Sequence, residues 1–208
     1  MKSTQAEHDM IVRLLVREGW DVTTNNPKDS GGMTRWGITQ KTLDAYVKAN
    51  PEFVAKHFRF ESHSVRYLPI EGAIEIYLDN YYDKPNIDLL APTHPTLAEQ
   101  VFDFGVLAGQ KTSIIILQRV LNVLNKEGKL WRDLKLDGAI GTETLTALKL
   151  STVNKYKTLV QQMVAARQSV YLMDLAEKRE KDETFMAGWQ AKRAIGVLTE
   201  IQNIGRSS

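Results

Sequence analysis

The sequence contains no cysteine. This absence excludes a disulfide framework, a thiolate nucleophile and a zinc site built on thiolates. It suits a reducing cytoplasm or indifference to redox state. Stability must therefore come from packing, and a chain of 208 residues that is 43% hydrophobic and 25% charged is long enough to fill one core.

An excess of either charge is also missing, since 27 basic residues face 25 acidic ones and no run of five like charges occurs. This balance favours no nucleic-acid partner. Long apolar runs are absent too, because Arg13 and Arg17 interrupt the N-terminal apolar stretch. We therefore expect neither a signal peptide nor a membrane span, which needs about 20 apolar residues, and we expect no stable membrane insertion.

Motifs for metal and nucleotide chemistry are lacking as well. The sequence has no GxSxG elbow, no P-loop and no GxGxxG. Its histidines form no HExxH and have no cysteine companions; they are His8, His57, His63 and His94. We predict no metal site and no cofactor.

The pattern that is present is mainly helical. Thr4 and Glu7 have the spacing of a capping box, and Ile11, Leu14 and Leu15 form one apolar face of a first helix that should stop at Gly19. Turn residues then lead to Met33–Ile38, the one convincing short strand or hairpin.

Helices are expected over most of the remaining sequence. Thr39 should cap a helix that ends near Asn50-Pro51, and Pro69 should open another with Tyr77 and Tyr81 at helical spacing. The further predicted helices cover residues 96–108, 112–125, 142–149, 153–180 and 186–202. No linker of low complexity separates the halves, so we expect two regions, 1–110 and 111–208, packed into one compact domain.

One acid stands at an unexpected place. Glu18 follows Ile11 by seven residues and Leu14 by four, so it extends the buried stripe of the first helix. Burial and the negative end of the helix dipole would both raise its pKa. A carboxylic acid protonated near neutral pH suits general acid catalysis of glycosidic cleavage. The alternative is a surface acid paired with a neighbouring arginine, namely Arg13, Arg17 or Arg35.

The hairpin after this helix offers partners for the acid. Asp29 is a candidate to stabilise an oxocarbenium-like charge or to activate water, and Thr34 is a candidate to hold that water. A separation of ~5–5.5 Å between the acids would favour retention, and ~6.5–9.5 Å would favour inversion. Each of these residues also has a structural interpretation. For Asp29 a role in the turn is about as well supported as catalysis. Thr34 would be a residue on the strand surface, and Thr39 would be a helix N-cap, which is the preferred interpretation.

The segments "EGW" at 18–20 and "PKDSGGMTRWGIT" at 27–39 resemble glycoside hydrolase family 108, whose phage members are N-acetylmuramidase endolysins. The resemblance places the essential acid at Glu18. The other matching positions are Pro27, Asp29, Gly31, Gly32, Thr34, Trp36, Gly37, Ile38 and Thr39. Trp20 and Ser30 depart from the family pattern. The order of acid, Asp and Gly-Ile hairpin is also similar to the T-even phage lysozymes, which favours a catalytic Asp29.

The segment "LQRVLNVLNKEGKLWRDLKLDGAIGTETLTAL" is similar to peptidoglycan-binding modules. The matching residues are Leu117, Gln118, Asp137, Gly138, Gly141, Thr144 and Ala147. A structural interpretation explains most of them, because Asp137-Gly138 predicts a tight turn and Gly141-Thr142 predicts a helix start. Trp189 is similarly interpreted as a core anchor and not a sugar platform.

Candidates for contact with a glycan are aromatic residues and one acid near the hairpin and its neighbouring helices, namely Trp36, Tyr81, Tyr82 and Asp103. Tyr77 and Tyr81 at a spacing of four are also typical of a helix core. Asp103 lies between two phenylalanines, where it would be buried and hydrogen-bonded for structure or for substrate.

The resemblance implies a mainly α, lysozyme-like α+β fold and hydrolysis of the β-1,4 bond between N-acetylmuramic acid and N-acetylglucosamine. It further implies a monomeric phage endolysin acting on peptidoglycan glycan strands, held in the host cytoplasm until a holin permits its release to the periplasm. Two alternatives remain open. One is a lytic transglycosylase, and the other is a non-catalytic protein that binds the cell wall or assists secretion.

Overall fold

The computed structural model describes residues 4–17, Thr23, 33–59 and 63–196. Over these residues the chain is mainly α-helical, with nine α-helices and one small antiparallel hairpin, which confirms the predicted fold class. None of the helices in these ranges is long and apolar enough to cross a membrane. The chain divides into two compact units between Asn80 and Tyr81, and the predicted division at residue 110 stays a prediction.

In its described residues, the first unit contains the hairpin and four α-helices. In chain order its elements are α1 (Gln5–Arg17), β1 (Thr34–Arg35), β2 (Ile38–Thr39), α2 (Gln40–Ala49), α3 (Glu52–His57), a 3-10 turn (Val65–Tyr67) and α4 (Ile70–Tyr77). The first helix begins with the predicted capping box. The Thr4 amide donates to the Glu7 carboxylate at 2.7 Å, and the Glu7 amide donates to the Thr4 hydroxyl at 3.2 Å.

The apolar stripe of α1 lies in the core of this unit. Ile11, Leu14 and Leu15 are fully buried, as the helical periodicity predicts, and α1 packs against α4. The second predicted cap is also confirmed, because the Thr39 side chain accepts from the Thr42 amide and α2 ends before Asn50. Sequence periodicity and capping residues therefore account for the helices on both sides of the hairpin.

The second unit is a group of packed helices. Its elements are a 3-10 turn (Ile87–Leu90), α5 (Pro95–Ala108), α6 (Gln110–Leu124), α7 (Thr142–Val153), α8 (Lys157–Lys178), a 3-10 turn (Glu180–Asp182), α9 (Glu183–Trp189) and a π-helical segment (Gln190–Ala194). Helix α6 packs on α5 and on α8, and Phe102, Phe104 and Leu117 are fully buried in this core.

A π-helical segment, Leu78–Asp83, follows α4 directly. The predicted helical spacing of Tyr77 and Tyr81 is therefore broken, because a π turn places one extra residue in the turn. As a result Tyr82 is buried and Tyr81 is only half-buried. Pro69 does precede α4 as predicted.

The turn at Asp137 and Gly138 has the structural role that the sequence predicts. Gly138 has a φ of +73°, and the Gln118 amide group donates to the Asp137 carboxylate at 2.9 Å. The Gly138 amide returns a 3.0 Å hydrogen bond to the Gln118 side-chain oxygen. Hydrogen bonds from Gln118 and from the Ala139 amide hold the pKa of Asp137 below its usual value.

Candidate active site

The predicted general acid, Glu18, follows in the sequence directly after Arg17, the last described residue of α1. Glu18 and Asp29 both lie outside the described residues, so their catalytic roles stay predictions. Helix α1 reaches Arg17 with a capped start and a buried stripe. Among the predicted catalytic residues, Thr34 lies in the described part of the chain.

The hairpin that carries Thr34 is tight and regular. Strands β1 and β2 pair antiparallel with Thr34 opposite Thr39 and Arg35 opposite Ile38. Trp36 and Gly37 form the two-residue turn between them, with φ values of 56° and 74°. Positive φ at both central residues matches the twist of paired strands, which is why two-residue hairpins use such turns. The predicted strand over Met33–Ile38 is thus two strands of two residues each.

Trp36 is held by contacts with residues far away in the sequence. Its side chain is buried, and the indole nitrogen donates to the Leu68 carbonyl at 2.9 Å. The Tyr77 hydroxyl donates to the Trp36 carbonyl at 3.0 Å. Arg35 lies over the Trp36 ring at 5.3 Å and donates to the Arg66 carbonyl. These contacts fix the hairpin against α4 and the turn before it, and the predicted contact of Trp36 with substrate stays a prediction.

Gly37 is required by this packing. A Cβ at residue 37 would lie 2.6 Å from the Tyr77 hydroxyl oxygen, far inside van der Waals contact. Its positive φ also strains any residue that has a Cβ. The Gly-Ile pair of the motif therefore has a local physical reason: glycine lets α4 approach the turn.

Thr34 lies half-buried beside the start of α2. The Gln40 amide donates to the Met33 carbonyl at 2.8 Å, and the Thr39 and Thr42 hydroxyls lie 3.0 Å apart. The first turn of α2 is thus hydrogen-bonded to Met33, before β1, and to Thr39, in β2. Any catalytic contribution of Thr34 would come from a side chain whose backbone is fixed by these bonds.

The remaining predicted substrate contacts lie in the second unit. Tyr82 packs edge-on against Phe102, with ring centres 5.7 Å apart. Asp103 is buried beside Arg193, whose Nε lies 3.9 Å from Oδ2 and whose Nη1 donates to the Asp103 carbonyl at 3.3 Å. The burial of Asp103 is as expected, and Arg193 supplies the structural partner. Contacts of Tyr81, Tyr82 and Asp103 with substrate stay predictions.

Trp189 differs from the core anchor expected from sequence. It is half-buried and stacks on the exposed ring of Phe185, with centres 5.7 Å apart and planes inclined by 25°. The pair lies one helical turn apart on α9, so each ring covers part of the other. The stacking reduces the apolar surface that a short, exposed helix presents to water.

Sequence reasoning missed a polar network in the first unit. Glu75 accepts from Lys56 and lies 2.9 Å from the His57 ring nitrogen. Burial opposes ionisation of Glu75, yet the hydrogen bonds from Lys56 and His57 keep its pKa below the usual value. Tyr46 is hydrogen-bonded to Asp79, and burial together with the Asp79 and Glu75 charges raises the pKa of its hydroxyl. The spacing of four between Glu75 and Asp79 was the available signal.

The network is a structural one and offers no metal chelate. No group of three or more His, Cys, Asp or Glu side chains in the described ranges is arranged to hold a metal ion. His94, in the second unit, also has a structural role. Its side chain is buried, with Nδ1 2.8 Å from the Thr93 hydroxyl and Nε2 2.9 Å from the Thr152 hydroxyl. Burial, assisted by the Lys157 charge, lowers the pKa of His94 to about 4.

Two family models match adjacent parts of the chain. Residues 11–109 match Glycosyl hydrolase 108, and residues 112–194 match Predicted Peptidoglycan domain. The second range contains the Gln118–Asp137 turn and helices α7 and α8. No curated protein matches the sequence significantly.

A solved structure is similar over almost the whole chain. The structure of Brucella abortus SagA aligns with a TM-score of 0.64 and 21% sequence identity, covering 97% of this chain and 96% of that one. At this identity the likeness concerns the fold alone. The overall fold of this chain is thus similar to that of a known structure.

Proposed function

We propose that this protein, whose residues 11–109 belong to the glycosyl hydrolase 108 family, is an N-acetylmuramidase. The two family matches support the coarser statement directly: the chain is a glycosidase that acts on peptidoglycan. The finer assignment names the bond, the β-1,4 linkage between N-acetylmuramic acid and N-acetylglucosamine. The observation that carries it is the glycosyl hydrolase match together with the acid-bearing motif at residues 18–39.

In this proposal Glu18 donates the proton that the departing sugar oxygen needs. The buried face of α1 supports this role. Ile11, Leu14 and Leu15 are buried, and Glu18 continues their helical spacing in the sequence. A carboxyl that continued this stripe at the negative end of a helix dipole would be desolvated, and both effects would favour its protonated form. Protonation of the leaving group accompanies bond cleavage, as in general acid catalysis.

The hairpin supplies the second half of the proposed chemistry. Asp29 is proposed to stabilise positive charge on the sugar ring or to activate water, and Thr34 to hold that water. The hydrogen bonds between Tyr77 and Trp36 and between Trp36 and Leu68 support this role, because they fix the hairpin backbone. A fixed backbone positions a catalytic side chain at low entropic cost.

The proposed substrate-binding residues are Trp36, Tyr81, Tyr82 and Asp103. Tyr81 is the one of the four that is only half-buried, so it is the best placed to meet a sugar directly. The other three are buried, and their effect on substrate would pass through the residues that they hold in place. No cofactor is needed for this hydrolysis.

Lysis of a bacterial host is the biological role that this activity suits. We propose a monomeric phage endolysin that reaches the periplasm from the host cytoplasm once a holin has opened the inner membrane. Expression in the cytoplasm with and without a pore-forming holin tests this role. Rapid lysis only when both are present supports it, and lysis without a holin contradicts it.

The decisive experiment is digestion of purified peptidoglycan followed by mass spectrometry of the fragments. Hydrolysis adds one water and leaves a reducing N-acetylmuramic acid end, whereas a lytic transglycosylase leaves a 1,6-anhydro end without added water. Glu18→Gln should abolish cleavage while keeping the fold. A non-catalytic wall-binding or secretion-accessory protein would release no fragments with either form.

Glu7→Gln is the matched control on the same helix. Glutamine can replace glutamate in a capping box, so this change alters one carboxyl of α1 without removing the cap. Cleavage should remain near the wild-type rate in Glu7→Gln and fall to background in Glu18→Gln. Equal rates in both variants would reject Glu18 as the proton donor.

A further inference from the structure

A groove lies within the second unit between α6 and α8. Its volume is about 610 Å³, which falls within the ~300–1,000 Å³ typical of ligand sites. Val123 on α6 and Met163 and Val170 on α8 line its walls, and Leu136 contributes from the loop that precedes α7. The groove is therefore part of the region that matches the peptidoglycan domain.

The lining is apolar and open to solvent. Val123 is 71% exposed, and Leu136 and Val170 are each 42% exposed. Exposure of apolar side chains to water costs free energy, and contiguous apolar patches commonly mark binding surfaces. No aromatic residue of the described ranges belongs to the lining, so a sugar ring would find no flat face there on which to stack.

Two arginines lie beside this apolar surface, one on each helix. Arg119 stands four residues before Val123 on α6, and Arg167 stands between Met163 and Val170 on α8. Both are exposed, and neither makes an ion pair or hydrogen bond within the described residues. No acidic residue of the described ranges lines the groove. The groove therefore complements a ligand that carries carboxylates and small apolar groups.

We propose that this groove binds the peptide stem of peptidoglycan, with Arg119 and Arg167 pairing with its carboxylates and the apolar walls contacting its alanine methyl groups. A stem peptide combines these two chemistries in a few residues, and the glycan strand does not. The proposal rests on peptidoglycan being the substrate. It gives the second region a binding role separate from the cleavage assigned to Glu18.

Binding of a soluble stem peptide, L-Ala-γ-D-Glu-L-Lys-D-Ala, to the full chain tests the proposal. Calorimetry should give saturable binding that weakens about tenfold or more in Arg119→Gln/Arg167→Gln, because two charge-assisted contacts are lost. The matched control is Lys149→Gln/Lys178→Gln, which removes two exposed charges from α7 and α8 outside the groove and should change Kd by less than about twofold. A peptide with its carboxylates converted to amides should bind the wild type as weakly as the free acid binds the double arginine variant.

A third variant changes the apolar wall of the groove. Val123→Asp places a negative charge at an exposed groove position, where folding tolerates it, and should repel the peptide carboxylates. Equal affinity of the wild type and the double arginine variant would overturn the proposal, and so would absence of saturable binding. A dimer in sedimentation that Val123→Asp dissociates would also overturn it, because the groove would then be an interface between copies.

The two proposals fail in different experiments. Glycan strands stripped of their peptides should be cleaved equally by the wild type and by Arg119→Gln/Arg167→Gln, with both losing activity when Glu18→Gln is added. Peptide binding without any Glu18-dependent cleavage overturns the muramidase and leaves the groove proposal standing. Glu18-dependent cleavage with peptide affinity unchanged in the arginine variant overturns the groove proposal alone.

Discussion

The Tyr77 hydroxyl donates a hydrogen bond of 3.0 Å to the backbone carbonyl of Trp36. The two residues are 41 positions apart, and the bond is buried. It joins α4 to the turn of the hairpin that carries Thr34. The conformation of the candidate active site therefore depends on a side chain that has no chemistry of its own to perform.

Tyr77→Phe should lower the free energy of unfolding by about 1 kcal/mol, because it removes one buried hydrogen bond and little volume. Urea denaturation monitored by tryptophan fluorescence measures this change. The control is Tyr67→Phe, since Tyr67 is 69% exposed and its variant should match the wild type. Wall-cleavage rates should fall in Tyr77→Phe and not in the control; equal stabilities would show that the bond contributes nothing.

Gly37→Ala should destabilise the protein by more than the ~1 kcal/mol that a positive φ alone costs, because the new Cβ would lie 2.6 Å from the Tyr77 oxygen. Gly128→Ala is the matched control: its φ is +78°, and no atom lies within 4 Å of its Cβ position. The double variant Gly37→Ala/Tyr77→Phe should recover part of the loss, because the contacting oxygen is gone. A double-mutant cycle of unfolding free energies measures this coupling, and strict additivity would refute the steric explanation.

The sequence was sufficient where structure depends on near neighbours. The caps at Thr4 and Thr39, the buried face of α1 and the turn at Gly138 all follow from residues within a few positions of one another. Such local signals fix helix starts and apolar faces before any tertiary contact forms. They predicted most of the helical framework of both units.

The sequence was not sufficient where distant contacts decide. Trp36 has a left-handed backbone, held by Leu68 and Tyr77, which the alternating pattern of a strand does not reveal. Likewise the π-helical turn after Tyr77 shifts the side chains so that Tyr82 is buried, although Tyr81 has the better α-helical spacing. Trp36 and Tyr82 are both proposed substrate-binding residues, and at both places the backbone departs from regular strand or α-helix geometry.

His94 should make the protein less stable as the pH falls through the weakly acidic range. Its pKa is lowered from 6.5 to about 4 in the folded protein, so above pH 6.5 it is neutral in both states. As the pH falls from 6.5 to about 4, the unfolded chain takes up a proton that the folded chain does not, and stability declines over that window. Below about 4 the loss from this group is complete.

His94→Gln should flatten the stability profile between pH 6.5 and 4 compared with the wild type, by up to about 3 kcal/mol. Urea titrations at each pH measure the two slopes. Lys157→Gln provides a second test, because removing that charge should raise the pKa of His94 toward its usual value in an NMR titration. A wild-type imidazole that titrates near 6.5 would contradict the assignment.

The buried pair of Asp103 and Arg193 should contribute far more to stability than an exposed pair of the same residue types. Both side chains are more than nine-tenths buried, so removing the guanidinium leaves a carboxylate in a poorly hydrated place. Arg193→Met should cost about 3 kcal/mol or more, as is usual when one partner of a buried pair is removed. Arg179→Met is the matched control, because the Arg179 side chain is 50% exposed beside Asp182 and its pair should be worth less than about 1 kcal/mol. Adding Asp103→Asn to Arg193→Met should restore part of the lost stability, since an amide is cheaper to bury than a carboxylate that has lost its guanidinium partner. If instead Arg193→Met and Arg179→Met have equal effects in urea denaturation, the buried pair of Arg193 and Asp103 contributes no more to stability than the exposed pair does.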